Sequence, residues 1–384
     1  MDWPRTPVER LRRFRPPFCP HRDCPEHNRE RPGFRFRPNG SYVTKHRRVL
    51  RFVCNTCGGS CSTQSFATSY FLKRPELLTR IADQWVNGSC DRQIARTLGC
   101  AHSTVARQLA RIGRHAMLFK ALARQELKGQ LREPVVLDHF ETFEFSQDLP
   151  FGLATPVGSA SWFVYGTDLI PHRRTGRRSP AQQVRLDSRP QRPDRGGYRG
   201  SARRILEMLA GLAGPGMLQV IGDGHPAYEQ ARRDHPHRDR IVLARYPNPP
   251  RGPKGSRRSP QARARDRAMF PVDALHALIR HSLSHQRRET IAFGRRLNAA
   301  AERISAFLVW RNFVKPRSER TPDPETPAMR VGLAAEPWSW RWLLSRRLFP
   351  DRIPLPDPWN ELYRRDWTTP VLPSNTRHRL RYAF

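Results

Sequence analysis

Two short apolar runs in the middle of the chain each end on an aspartate. Residues 216–222 read GMLQVIG before Asp223, and residues 134–137 read PVVL before Asp138. Runs this short, rich in β-branched residues and bounded by Gly or Pro, predict buried strands. If the strands are neighbours in one sheet, their end carboxylates converge and suit a hard divalent cation. Because Asp-Gly after a strand is also a common turn, either aspartate alone also fits a structural role.

The hydrophobic pattern around these runs alternates strands with helices. Further strands are predicted at residues 140–145, 161–165 and 241–244, and a helix is predicted at residues 202–212. Strands, then a helix, then another strand and more helices predict an α/β layer fold with a mixed sheet.

A helix beginning near Phe270 supplies a third candidate acid. Its apolar residues form one buried stripe, which leaves Asp273, His276 and Arg280 along the adjacent edge. A carboxylate followed two turns later by a basic residue suits a metal ion beside a phosphate. The competing acid is Glu289, which lies among arginines and also fits the role of an exposed charge.

Upstream, the pattern predicts three short helices. Apolar residues at helical spacing follow Pro75, a second helix covers residues 92–98 after a cap at Asp91, and a third begins at a cap at Ser103. The turn at Gly99 between the last two gives the helix-turn-helix pattern, whose second helix enters the DNA major groove. The side chains predicted to face DNA are His102, Ser103, Thr104, Arg107 and Gln108. An ordinary helical hairpin is the alternative.

Two close cysteine pairs precede these helices. They are Cys19 with Cys24, and Cys54 with Cys57. Two thiolate pairs can supply the tetrahedral sulfur shell that Zn2+ prefers, so the sequence predicts a structural zinc ribbon. The wider spacing of the first pair leaves open that His21 or His27 replaces one sulfur.

Charge then narrows the choice of partner. The chain of 384 residues carries a formal net charge of +35 at pH 7, which predicts a polyanionic partner, and nucleic acid is the best candidate. Two basic stretches rich in Pro and Gly, residues 172–204 and 247–267, predict mobile loops that grip the DNA backbone. No apolar run reaches the length of a membrane span, and residues 1–17 do not resemble a signal peptide. We therefore expect a cytoplasmic, nucleoid-associated protein without disulfides or membrane contact.

Taken together, these features resemble the DDE-type transposases of bacterial insertion sequences. The landmarks are LDHFE at residues 137–141, GDG at residues 222–224 followed by Ala227 and Tyr228, and RETIAF at residues 288–293. Counting back from the last block places the family's third acid on Asp273, where Glu is usual, and the basic residue that follows it on Arg280. The resemblance implies a transposase that binds terminal inverted repeats and catalyses DNA strand cleavage and strand transfer.

The resemblance also implies a multidomain α/β organisation. A zinc ribbon with a basic arm would occupy residues 1–70, a helix-turn-helix domain of three helices residues 71–125, an RNase H-like catalytic domain with a mixed sheet residues 126–315, and a basic aromatic tail residues 316–384. Asp138, Asp223 and Asp273 would hold two Mg2+ or Mn2+ ions, with Arg280 near a phosphate. The implied partners are double-stranded DNA, as inverted repeats and target, and further copies of the chain.

Two questions stay open at the level of sequence. The tail is suited to pack on the catalytic domain, to stack on DNA or to carry a dimer contact. A non-catalytic zinc-ribbon and helix-turn-helix regulator derived from a transposase is the alternative to an enzyme, and both would bind DNA.

Overall fold

The computed structural model describes residues 14–28, 34–45, 47–174, 176–189, 195–250, 252–253, 255–320, 322 and 324–372. Within these ranges the chain forms eleven α-helices and two β-sheets, one of three strands and one of five. The predicted mixed α/β class is therefore confirmed. Most of the predicted basic arm, residues 1–13, lies outside the described residues. A search of the described helices for one long and apolar enough to cross a bilayer finds none.

A small antiparallel sheet follows the first cysteine pair. Its strands are β1 (Phe36–Val43), β2 (Arg48–Cys54) and β3 (Ser60–Ser62), hydrogen-bonded in that order. It rests on a cluster of only five buried apolar residues, namely Phe18, Phe52, Cys61, Phe66 and Phe349. Phe349 comes from the C-terminal part of the chain and meets Phe18 edge to face, with ring centroids 5.0 Å apart. So small a core offsets little of the entropy lost on folding, which makes an additional crosslink valuable here.

Three helices come next: α1 (Leu77–Val86), α2 (Asp91–Leu98) and α3 (His102–Glu126). Gly99 ends α2 with a φ of 57°, a left-handed conformation that glycine adopts without strain. The predicted caps are wrong, because Cys90 precedes α2 and Ala101 precedes α3. Asp91 instead lies inside the first turn of α2, where its carboxylate accepts from Arg303 at 2.6 Å.

Helix α3 continues far beyond the predicted short helix and packs along α8 (Leu297–Phe313). The two helices meet at Gly113, where a Cβ atom would lie only 2.4 Å from the carbonyl oxygen of Glu302. The buried carboxylate of Glu302 accepts from Arg114 at 2.9 Å and from Arg365 at 2.8 Å. One continuous hydrophobic core consequently extends from the three N-terminal helices to the C-terminal segment.

The larger sheet has five strands. They are β4 (Val135–Phe143), β5 (Pro150–Gly158), β6 (Asp168–Pro171), β7 (Leu218–Gly222) and β8 (Ile241–Arg245). Their order across the sheet is β6-β5-β4-β7-β8. The first three strands form an antiparallel meander, and β7 runs parallel to both β4 and β8. The mixed sheet and the strands predicted beside Asp138 and Asp223 are thus confirmed.

The strand predicted at residues 161–165 is wrong. Trp162 has a φ of 60° in a turn, and the segment contributes only an isolated bridge between Val157 and Val164. The backbone N–H and C=O of Val164 bond instead to the side-chain amide of Asn312, each at 3.0 Å. The apolar residues of this segment are buried by packing against helices, so their pattern imitates a strand without sheet pairing.

Helices cover both faces of the five-stranded sheet. After β6 the chain forms α4 (Pro180–Asp187), which has no buried residue, and then three helices that contact the sheet, α5 (Gly197–Ala213), α6 (Pro226–Arg233) and α7 (Pro260–Ser282). On β4, His139 bonds to Ser201 of α5 and to Tyr228 of α6, whereas Asp138 faces His276 of α7. Because successive strand residues point to opposite faces, α5 and α6 lie on one side of the sheet and α7 on the other.

The two predicted basic loops are partly helical. Helix α4 and the start of α5 lie within residues 172–204, and α7 begins within residues 247–267. In both cases a serine caps the helix and a proline follows it: the hydroxyl of Ser179 accepts from the amide of Gln182, and that of Ser259 from the amide of Ala262. The overall composition of these stretches hid this local signal.

The described part of the C-terminal tail packs on the rest of the chain. It contains α9 (Pro327–Arg330), α10 (Trp340–Leu343) and α11 (Trp359–Arg364). Trp338, Trp340, Trp359 and Trp367 are all buried. The indole N–H of Trp359 donates to the carbonyl of Thr167 at 2.9 Å, which ties the tail to the turn before β6. Of the three roles open to the tail, packing on the body is the one observed here.

Candidate metal-binding and nucleic-acid sites

Asp138 and Asp223 lie at the same edge of the sheet, at the point where the parallel pairing of the inner strands β4 and β7 ends. Strands β4 and β7 are parallel neighbours, and Leu137 pairs with Gly222 in their register. Each aspartate directly follows one member of that pair, and adjacent strands lie about 4.8 Å apart. Backbone amides hold both carboxylates, because Asp138 accepts from His139 at 2.7 Å and Asp223 from His225 at 3.0 Å. The convergence expected from the sequence is therefore present in the backbone itself.

The two glycines around Asp223 have separate structural reasons. A Cβ atom on Gly222 would lie 3.1 Å from the ring of Tyr228, so a side chain here would displace that ring. Gly224 has a φ of 87° and lies against Pro247, a combination that disfavours any side chain. This local geometry turns the chain sharply and leaves the Asp223 carboxylate at the rim of the sheet.

Helix α7 brings the third predicted acid to the same region. Its buried residues Val272 and Ile279 seat the helix against β4, β5 and β7. Asp273 follows Val272, is 40% exposed, and forms a two-pronged ion pair with Arg265 two turns earlier. The guanidinium of Arg265 is mostly shielded from solvent and places a positive charge beside the acids.

The electrostatics of Asp138 depend on both of the other acids. Burial and, to a smaller extent, the negative charges of Asp223 and Asp273 together raise the pKa of Asp138 to about 7, against the opposing effects of the His139 amide and the charge of Arg265. A carboxylate whose pKa is displaced by burial and by neighbouring acids marks a candidate functional site. Structural need alone would not place Asp223 and Asp273 near Asp138, because their charges destabilise its ionised form.

The raised pKa of Asp138 predicts how the metal-free protein responds to pH. The pKa of this carboxyl group is near 3.8 in the unfolded chain and near 7 in the folded chain, so its contribution to stability falls as the pH rises between these values. An asparagine side chain at this position cannot ionise and avoids the loss. We expect Asp138→Asn to raise Tm relative to the parent protein by at least about 3 °C more at pH 8 than at pH 4, in zinc-loaded protein without other divalent ions. A Tm difference that is the same at both pH values would contradict the assignment.

The other acids of this region have different surroundings. Glu289, the sequence alternative to Asp273, is exposed, and the carboxylates that raise the pKa of Asp138 are Asp223 and Asp273. Glu141 points to the opposite face of β4 from Asp138 and bonds to His172 at 2.7 Å and to the hydroxyl of Tyr198. Neither residue lies with Asp138 and Asp223 beside the last pair of the β4–β7 register.

Arg280 is held by protein groups. Its guanidinium donates to the carbonyl of Glu141 at 2.8 Å and to that of Gln286 at 3.0 Å, and it lies 4.4 Å from the ring centre of Phe140. Binding a phosphate would have to compete with these contacts. In this structure Arg265, rather than Arg280, is the arginine paired with an acid of the cluster.

The N-terminal end of α3 presents most of the predicted DNA-facing residues. His102 and Arg107 are exposed, and Ser103 and Thr104 are half-buried. The guanidinium of Arg107 donates to the carbonyl of Ser103 at 3.2 Å and to its hydroxyl at 3.4 Å. Gln108 is only 7% exposed, so this structure does not present it to DNA as predicted. It lies on the side of α3 that packs inward, because the buried face of this long helix is wider than the short amphipathic pattern suggested.

The four predicted zinc ligands form one compact group. The sulfur atoms of Cys19, Cys24, Cys54 and Cys57 all lie within 4.8 Å of one another. Cys19 and Cys57 are 3.7 Å apart, and Cys24 and Cys54 are 3.9 Å apart. Four sulfurs at about 2.3 Å from a tetrahedral zinc ion would be about 3.8 Å apart. The group can therefore hold a metal ion such as zinc.

Within this cluster, neighbouring backbone groups favour the thiolate of Cys54, whereas burial raises the pKa of Cys19 and Cys24. Burial opposes ionisation of Cys54, but the amides of Cys57 and Thr56, together with the Cys57 and Cys24 thiols, lower its pKa below the ordinary value. The amide of Gly59 also points at the sulfur of Cys57, at 3.4 Å. Amide donors around the sulfurs stabilise the charged form that a metal requires.

Neither histidine belongs to the group. The Nε2 atom of His21 bonds to the carbonyl of Ser60 at 3.1 Å, and Nδ1 of His27 bonds to the carbonyl of Cys19 at 2.7 Å. His27 is buried against Phe18 and Phe349. Among the described residues, the four cysteines are the one set of three or more potential ligands packed within this distance, so the acids at the sheet edge are more widely spaced.

Sequence reasoning missed two contributors to the acidic site. Arg265 fell in a stretch predicted to be a loop, and the Ser-Pro cap of α7 would have placed it on the same helix as Asp273. Thr155 lies opposite Asp138 in the β4–β5 register and donates its hydroxyl to the carbonyl of that residue at 3.0 Å. Nothing in the sequence fixes that register, so Thr155 had no signal of its own.

Comparisons of the chain with protein-family models, with curated proteins and with solved structures found no match.

Proposed function

We propose that this chain is a DDE-type transposase that binds DNA ends and catalyses metal-dependent strand cleavage and strand transfer. The observation that carries the proposal is the register of β4 and β7, which puts Asp138 and Asp223 side by side at the sheet edge that faces α7. Asp273 on that helix is close enough for its charge to raise the pKa of Asp138. Three interacting acids from two strands and a helix form an oxygen-rich site suited to Mg2+ or Mn2+.

The architecture supports an RNase H-like catalytic domain. Such a domain is built on a three-stranded antiparallel meander followed by two parallel strands added beside its first strand. The order β6-β5-β4-β7-β8, with β5 alone running against the others, has this form. The two candidate acids lie on the first strand of the meander and after the first of the added strands. Because fold alone does not establish function, the weight of the proposal rests on the acids.

The residues at this edge have distinct roles in the proposed reaction. Divalent cations would supply Lewis-acid stabilisation of the phosphate and a more acidic attacking hydroxyl. Asp138, Asp223 and Asp273 would hold those cations through carboxylate oxygens that the backbone amides of His139 and His225 help to orient. Arg265 offers a guanidinium suited to the non-bridging oxygens of the scissile phosphate. The chain thus provides positioning and charge, which is what phosphoryl transfer needs most.

The N-terminal region supplies the proposed DNA-binding modules. Helices α2 and α3, joined through Gly99, would act as a helix-turn-helix, with His102, Ser103, Thr104 and Arg107 at the leading end of the recognition helix. The cysteine group would hold structural Zn2+ in a ribbon next to it. The net charge of +35 is consistent with extensive phosphate contact in addition to base reading.

The test is a cleavage assay on DNA that carries the short inverted repeats flanking the gene. Purified zinc-loaded protein with Mg2+ or Mn2+ should nick those ends and join the freed 3′-hydroxyl to a target duplex, and scrambled ends should remain uncut. A protein that binds the ends but neither nicks nor joins them with any divalent metal would instead be a DNA-binding regulator derived from a transposase.

Mutations should separate recognition of the repeat sequence from nonspecific binding to the DNA backbone. We expect Arg107→Ala to reduce the preference for repeat ends over random DNA about tenfold, since an exposed arginine at this end of a recognition helix can bond to base edges. Combined replacement of the exposed Arg257, Arg263 and Arg267 by alanine should weaken binding to both DNAs equally. It should also flatten the log-log salt dependence by roughly 0.9 for each phosphate that the protein no longer neutralises. Filter binding or fluorescence anisotropy across salt concentrations measures both effects. A triple variant that lost only end preference would contradict this division.

A further inference from the structure

His276 has a fixed tautomer. The hydroxyl of Thr155 donates its single proton to the carbonyl oxygen of Asp138 at 3.0 Å, because a carbonyl can only accept. The same hydroxyl oxygen lies 2.8 Å from Nε2 of His276. Since that hydroxyl has no second proton to give, Nε2 must be the donor in this contact. The proton of the neutral ring is therefore on Nε2, and Nδ1 has a lone pair that can accept a hydrogen bond or bind a metal ion.

That lone pair faces an acid. Nδ1 of His276 lies 3.8 Å from Oδ2 of Asp138, and the two side chains are only 16% and 22% exposed. The separation is too long for a direct hydrogen bond. When Asp138 is ionised and the ring carries only its Nε2 proton, two acceptors face each other, and neither has a proton to share.

A metal cation can accept a lone pair from both Nδ1 of His276 and Oδ2 of Asp138. Metal bonds to imidazole nitrogen and to carboxylate oxygen are each about 2.0–2.2 Å. Their sum exceeds the observed 3.8 Å between Nδ1 and Oδ2, so one ion can touch both atoms. A ligating histidine typically has its other nitrogen bonded to a fixed partner, which sets the tautomer and the ring orientation. Thr155 already does this, and Phe140 packs against the same ring with centroids 5.3 Å apart.

We propose that Nδ1 of His276 is a nitrogen ligand of the divalent cation held by Asp138, with Thr155 as the positioning residue. This inference rests on the proposed function for the presence of that cation, and it adds a nitrogen donor to a site otherwise made of carboxylates. Imidazole suits transition metals, whereas Mg2+ prefers oxygen. The site should consequently favour Mn2+ over Mg2+ more strongly than an all-carboxylate site would.

Pulsed electron paramagnetic resonance of bound Mn2+ tests the nitrogen ligand directly. Full-length, zinc-loaded protein without DNA should show coupling between Mn2+ and a 14N nucleus. His276→Gln should abolish the coupling and lower the ratio of Mn2+ to Mg2+ affinity about tenfold or more. His281→Gln is the matched control, because His281 is exposed on the same helix, and it should leave both unchanged. Absence of Mn2+ binding, absence of the coupling in the parent protein, or its persistence in His276→Gln would overturn the inference.

A second variant covers the case in which His276→Gln fails to fold. Thr155→Val keeps the size of the side chain and the histidine but removes the partner of Nε2, so Mn2+ affinity should fall by about 10- to 100-fold. Asp273→Asn should retain the 14N coupling. The outcome is independent of the cleavage assay: nitrogen-coupled Mn2+ in a protein that cuts no DNA would support the ligand and refute the transposase, and cleavage with nitrogen-free Mn2+ would do the reverse.

Discussion

Asp273→Asn is expected to reduce metal-dependent cleavage and joining of repeat-end DNA by at least about a thousandfold. The reason is that losing a carboxylate ligand at a reacting centre removes several kcal/mol of transition-state stabilisation, and about 1.4 kcal/mol corresponds to a factor of ten in rate. Binding of the repeat ends should stay near that of the parent protein, because the proposed recognition residues lie on α3. Single-turnover cleavage at saturating protein measures the first effect, and anisotropy measures the second.

Asp223→Asn should show the same loss, and Glu289→Gln provides the matched control. Asp223 lies beside Asp138 through the pairing of Leu137 with Gly222, whereas Glu289 is exposed and outside this group. Substantial activity in Glu289→Gln is therefore expected. An inactive Glu289→Gln together with an active Asp273→Asn would move the third acid to Glu289 and remove the role given to this face of α7.

The edge of the sheet was predictable because its signals are local. A β-branched run that ends on Asp-Gly predicts both a strand and its end, as at Asp223, which directly follows β7. The run before Asp138 predicts the strand but not its end, because β4 continues to Phe143. The adjacency of the two aspartates is a property of strand pairing, which no single run encodes. The sequence predicts that the two carboxylates converge only if their strands are neighbours. The parallel pairing of β4 with β7 shows that they are.

Prediction failed for residues that are buried by contacts with distant parts of the chain. Residues 161–165 read as a strand because they are apolar, yet Val164 gives its backbone hydrogen bonds to Asn312 of α8. Gln108 is predicted to be exposed because the pattern suggests a short helix, but it lies on the buried face of a helix of 25 residues. For Val164 the partner lies 148 residues further along the chain, and such a partner has no signature in a local window.

The second prediction concerns the zinc content of the protein. Cys54→Ser is expected to lose most of the approximately one zinc ion per chain that the parent protein should contain, because an alcohol replaces a thiolate in a closed four-sulfur shell. Metal analysis of the purified proteins measures this loss. Cys100→Ser is the matched control, since Cys100 lies outside the group and packs against the main core. It should retain the full zinc content.

Loss of zinc should also unfold the N-terminal sheet. Structural zinc contributes about 10–16 kcal/mol of apparent binding free energy in small domains, whereas the apolar cluster beneath β1–β3 has only five buried residues. Without the metal, residues 14–66 should become susceptible to limited proteolysis, and the larger core should remain resistant. A Cys54→Ser protein that lacks zinc yet keeps this segment protected would mean that the aromatic cluster alone suffices.

The contact with the C-terminal segment makes this outcome more specific. Phe349 fills the ribbon cluster, and Arg352 lies over the ring of Phe18 with its guanidinium carbon 3.8 Å from the ring centre. If zinc holds the ribbon in its folded form, removing it releases these partners as well, so cleavage near residues 345–355 should appear together with cleavage of the ribbon. Phe349→Ala should give the converse result, a loosened ribbon that still binds zinc, because the four sulfur ligands come from residues 19–57 alone.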